Sequence, residues 1–129
     1  MPSSGTPSAA YKHFGVKPKN IQWSWSGRSD DKVAVTLWKD KFLERGSAYE
    51  NWHDDVPGEW RSRPGFVELI ENLAHAQDHL DGVVHVIVAV AEDEDARPRS
   101  IERSFPTNMR MNVARLDRDN GTFRLELIR

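Results

Sequence analysis

The segment Val83–Ala91 constrains this chain more than any other. It reads Val-Val-His-Val-Ile-Val-Ala-Val-Ala, a nearly continuous β-branched run without a polar face. Such a run is expected as a strand buried on both faces, inside a sheet rather than at its edge. Glu92-Asp93-Glu94-Asp95 stops it with a block of like charge. It falls well short of the roughly 20 apolar residues that a membrane-spanning helix needs. The N-terminus shows no charged-then-apolar signal pattern, so the expected location is cytoplasmic.

The segment before it has helical spacing. Phe66, Leu69, Ile70, Leu73, Gln77 and Leu80 recur at intervals of three and four, and all but Gln77 are apolar. Ser62 is a candidate N-cap, Pro64 falls in the first turn, and Gly82 suits a left-handed C-terminal residue. One principal helix therefore leads into the buried strand.

Two hairpins flank this unit. In residues 21–26, Ile21, Trp23 and Trp25 alternate with Gln22, Ser24 and Ser26. After a polar turn over residues 27–31, Val33, Val35 and Leu37 alternate in the same way. Near the C-terminus, Met109, Met111 and Val113 form one arm and Phe123, Leu125 and Leu127 the other. The intervening Asn120-Gly121 supplies positive-φ turn positions. Residues 46–63 and 96–107 read as loops, and residues 10–14 as a short helix ended by Gly15. The expected class is α+β: a mostly antiparallel sheet of about five strands with one principal helix, in the order α-β-β-α-β-β-β. At 129 residues the chain is expected to form one domain over residues 10–129, with a disordered Ser/Pro/Gly-rich tail over residues 1–9. There is no cysteine, which excludes disulfides, thiolate metal sites and thiol nucleophiles.

Charge is distributed unevenly. Residues 1–43 carry a net +4, residues 44–96 a net -10 and residues 97–129 a net +4, the last with eight arginines and no lysine. Arginine makes planar bidentate contacts with phosphates and stacks on aromatic rings. Five tryptophans accompany it. Together these features favour a non-enzymatic binding module for nucleic acid or a modified base. Trp23, Trp25, Trp52 and Trp60 would stack on or cage a base, and Arg28, Arg110, Arg118 and Arg124 would contact phosphate. An aromatic pocket on a small mixed sheet flanked by arginines is similar in plan to modified-base readers, although no motif carries that likeness.

Two other classes compete. His53, Asp54, Asp55 and Glu59 form the densest polar cluster and could serve acid–base or divalent-metal chemistry. Their spacing fits no metal template, so no metal and no cofactor is expected. His75 and His79 stand four apart on one helical face, but the His-Glu-x-x-His arrangement of metalloproteases is absent. No Gly-rich phosphate loop, Gly-x-Ser-x-Gly elbow or acidic-x-Lys nuclease pattern occurs. The third class is a protein-interaction or homodimer module that uses an exposed sheet edge. The acidic middle would oppose nucleic acid unless it faces away from the basic ends.

Overall fold

The computed structural model describes residues 6–20, 24–50, 63–96 and 100–128. Helix α1 (Pro7–Phe14) opens the chain, followed by strands β1 (Ser26–Arg28) and β2 (Val33–Trp38). Two 3-10 turns lead to β3 (Ala48–Glu50), helix α2 (Pro64–His79) and strands β4 (Val83–Ala91), β5 (Ile101–Asp117) and β6 (Thr122–Leu127). The strands form one sheet in the order β1-β2-β4-β5-β6-β3. The class is α+β as expected, with six strands rather than five. Four neighbouring pairs are antiparallel. The fifth, β2 with β4, is parallel because α2 lies in the connection between them.

β4 sits inside the sheet with Val84, Val86, Ile87 and Ala89 fully buried. Its two faces serve different helices. Val84, Val86 and Val88 join Val33, Val35 and Leu37 of β2 under Leu69, Ile70, Leu73 and Ala76 of α2. On the opposite face Ile87 and Ala34 pack with Ala10, Tyr11 and Val16 of the α1 region. The double burial that the apolar run demands is therefore met by one helix on each side. Of the expected α2 stripe, Leu69, Ile70 and Leu73 are buried, and Phe66 and Leu80 pack at the rim. Gln77 is exposed. Glu68 and Asn72 are also buried, which the apolar pattern does not announce.

Several boundaries differ from expectation, each for a local reason. The helix begins at Pro7, inside the segment expected as a tail. Thr6 caps it by accepting a hydrogen bond from the Ala9 N–H at 3.2 Å. Gly15, at φ 69°, ends it with its N–H on the Lys12 carbonyl, while the Val16 N–H reaches the Tyr11 carbonyl. Ser62, the expected cap of α2, lies outside the described residues; the N-cap position is Arg63, which makes no side-chain cap bond.

The first hairpin is displaced. β1 covers Ser26–Arg28, so Gly27 and Arg28 belong to a strand rather than a turn. A Cβ on Gly27 would lie 2.9 Å from the Pro18 nitrogen, which explains a glycine where residues 17–18 cross the strand. Ala48–Glu50 forms an edge strand inside the expected loop.

β5 begins at Ile101, also inside an expected loop, and includes Pro106. A register shift between His85 and Ile87 accommodates that proline, and the Thr107 hydroxyl donates to the Val86 carbonyl at 2.8 Å. β6 pairs only with Met111 onward, so among the described residues no strand flanks residues 101–109 of β5 on that side.

Candidate functional site

α1 runs over β4 and β5, and the chain then turns back at Gly15 to cross β1. Between α1 and this returning segment lies an open groove of about 340 Å³. Tyr11 and Val16 line its apolar wall, with Gly15 and Pro18 beside them, and Lys12 and Lys17 stand at its rim. The groove is held open by two bonded contacts. Tyr11 Oη and Thr36 Oγ1 are 2.7 Å apart, which ties α1 to β2. The Lys17 N–H donates to the Arg28 carbonyl at 3.2 Å and the Arg28 N–H returns the bond at 3.4 Å. Lys12 and Lys17 thus share the groove, while Arg28, whose backbone runs beside Lys17, lies with Ser26 and with its own strand partner Val33 on the α2 face of the same sheet edge.

The same end of the sheet carries a second group of cations. His85, near the start of β4, pairs across to Arg110 of β5 and to Ala34 of β2. Lys32 directly precedes β2, two residues before Ala34, and its charge acts on His85. The Phe14 ring lies 5.2 Å from the His85 ring, and His13 meets Phe14 edge-on at 4.9 Å. Partial burial pushes the His85 pKa down, and the positive charges of Lys32 and Arg110 add to the shift. The imidazole is therefore neutral at neutral pH. Asp30, Asp31 and Asp81 are exposed at this same end and temper its charge.

The other two expected arginines stand elsewhere and are committed to carboxylates. Arg124 is only 21% exposed and meets Glu44 and Glu126 at 2.7 Å and Glu50 at 3.2 Å. These bonds hold its guanidinium pKa above the ordinary arginine value. Arg118 donates to Asp78 at 2.9 Å and to Gln77 at 3.1 Å, and its contact lowers the Asp78 pKa. The structure brings Arg28 and Arg110 to the basic end and draws Arg118 and Arg124 into ion pairs.

Of the expected aromatic set, Trp23, Trp52 and Trp60 lie outside the described residues, as do His53, Asp54, Asp55 and Glu59. Trp25 is half-buried against the core, with its ring 5.3 Å from that of Trp38. Trp38 closes β2 at the end remote from Lys32, about 20 Å along the chain. Trp25 and Trp38 thus form a packing pair, and Phe14 is the ring beside the basic residues.

His75 and His79 do come together, with ring centroids 5.0 Å apart. Among the described residues, however, no group of three or more histidines and carboxylates could hold a metal ion. No described helix is long and apolar enough to cross a membrane.

Sequence reasoning missed Lys12, Lys17, Lys32 and His85 as members of one site. Their common location depends on the return of the chain at Gly15 and on the parallel β2–β4 pairing, neither of which a local pattern reveals. Comparison with known proteins adds no identity: no family model, no curated protein and no solved structure matches the chain.

Proposed function

We propose that this chain is a non-enzymatic binding module that takes nucleic acid on the basic end of its sheet. Lys12 and Lys17 at the groove would contact phosphates, Lys32 and Arg110 would extend the track across the α1 face, and Arg28 would add positive charge at the adjoining sheet edge. The observation that supports this reading is the convergence of these cations from three separate parts of the chain: residues 12–17, 28–32 and 110. The acidic block Glu92–Asp95 follows the far end of β4, a strand length of about 30 Å away. The strongest local negative charge is thereby kept from the proposed track. Stacking by Trp52 and Trp60 belongs to the same proposal and is tested separately.

Titration with single- and double-stranded DNA and RNA at low salt tests the reading. Affinity should fall with salt on a log–log slope near -0.9 per phosphate neutralised on duplex, or about -0.7 on single strands. Arg28→Ala and Arg110→Ala should each shallow that slope by roughly one unit. Arg118→Ala and Arg124→Ala should leave it unchanged, because those guanidinium groups are already paired. Trp52→Ala or Trp60→Ala should cost about 1–3 kcal/mol with the slope preserved, since stacking releases no counterions. Absence of binding to every polymer would reject unmodified nucleic acid as the ligand.

A further inference from the structure

We propose that His85, Arg110 and Lys32 form a discrete phosphate-binding subsite beneath the C-terminal end of α1, an assignment that rests on the nucleic-acid reading above. Three strands build it. Arg110 on β5 stands directly across from His85 on β4, at a spacing where cross-strand side chains touch. Lys32 approaches from the other side, two residues before Ala34, the β2 partner of His85. Phe14 closes the third side with its ring against the imidazole.

The chemistry suits a phosphate oxyanion. Arg110 offers a planar fork of donors, Lys32 a compact positive charge, and a neutral imidazole one N–H donor. The groups that act on His85 are Lys32 from the segment before β2, Arg110 from β5, and Phe14 with its neighbour His13 from α1. Asp30, Asp31 and Asp81 stand exposed at the same end of the sheet, and among the described residues the charges that shift His85 are those of Lys32 and Arg110. In the free protein burial first, and then the two cations, discourage protonation of the ring. A bound phosphate would neutralise the cations and set an anion beside the ring, so the His85 midpoint would rise as the anion binds. The subsite thereby acquires a spectroscopic signature that a merely structural histidine lacks.

The test follows the His85 imidazole by NMR as pH is varied, with inorganic phosphate or with matched chloride, and then with a single-stranded DNA dodecamer. A phosphodiester keeps one negative charge between about pH 5.5 and pH 8, so with the dodecamer the pH response belongs to the protein. The expected result is a rise of the His85 midpoint when phosphate is present. Dodecamer affinity should rise about threefold from pH 8 to pH 5.5, the order expected for one partly exposed charge pair. His85→Gln should flatten that response. Arg110→Gln should abolish the phosphate-induced shift while raising the His85 midpoint in the free protein.

The two readings fail separately. If the dodecamer binds with a salt-dependent slope but neither ligand moves His85, the subsite is wrong and the nucleic-acid reading stands. If inorganic phosphate moves His85 and no polymer binds, the subsite stands for a small phosphate ligand and the nucleic-acid reading falls. If neither ligand binds, both are rejected.

Discussion

Tyr11 and Thr36 face each other at 2.7 Å across the α1–sheet interface, and both are buried. Burial pushes the Tyr11 pKa up to about 12, against a smaller lowering by the Thr36 bond. The folded state therefore holds the neutral phenol, whereas an unfolded chain would release its proton near pH 10. The stabilisation is complete below about pH 10 and is lost as pH climbs towards 12. Titration of tyrosinate absorbance should show one phenol ionising near pH 12, and Tyr11→Phe should remove that step.

The Asn72 amide donates to the Ser26 hydroxyl at 2.7 Å, with both residues buried between α2 and β1. Removal of one partner leaves the other without a bond in a dry place. Asn72→Ala should cost about 1–3 kcal/mol in denaturant unfolding, more than a surface asparagine would.

Leu73 and Ile87 lie under opposite faces of the sheet, both fully buried. Truncation of either to alanine opens a cavity in a different core. Each should lose about 2–5 kcal/mol, a large share of a typical stability of roughly 5–15 kcal/mol. Because the two side chains lie in separate core clusters on opposite faces, the double variant should lose close to the sum.

His85 has its pKa lowered in the fold, chiefly by burial and then by Lys32 and Arg110. The unfolded chain then binds a proton at higher pH than the folded one does. Stability should be unaffected by this group above about pH 7 and should decline as pH falls below the ordinary histidine value near 6.5. His85→Gln should flatten that decline in unfolding curves measured at several pH values, and added phosphate should oppose it.

Gly27 sits where residues 17–18 cross β1, and a Cβ there would press on the Pro18 nitrogen at 2.9 Å and on the Lys17 carbonyl carbon at 3.0 Å. Both contacts are backbone atoms, which cannot swing aside. Gly27→Ala should lower the unfolding midpoint and weaken nucleic-acid binding together, because the crossing segment carries the Lys17 rim of the groove. Unchanged stability and binding would show that this crossing tolerates displacement.

The class, the central strand and the principal helix were legible in the sequence because each is written in a long periodic segment. Val83–Ala91 and the stripe from Phe66 to Leu80 needed no partner to be recognised. β3 escaped notice because three residues, Ala48, Tyr49 and Glu50, are too few for alternation to register. The first part of β5 was hidden by Pro106, which reads as a loop unless the bulge and the Thr107 hydroxyl are known. The basic end was only half legible. Arg28 and Arg110 could be picked out by composition, but nothing in composition separates them from Arg118 and Arg124, which meet carboxylates up to 80 positions away in the chain. The side chain that completes the proposed subsite, His85, was concealed inside the most strand-like run of all.

The long β5 has a mechanical consequence. Its first half pairs with β4 and its second with β6, and only Met111 and Asn112 have a strand partner on both sides. The hydrogen-bonded ladder thus narrows to a waist in the middle of the sheet. What bridges that waist is side-chain packing: Phe123 and Leu125 of β6 enter the same core as Val84 and Leu73. The β3–β6 wing is therefore glued on rather than laced on. Its backbone amides should open to solvent exchange in small local events that leave β2 and β4 closed, so that the protein could yield at one wing while the basic end keeps its shape.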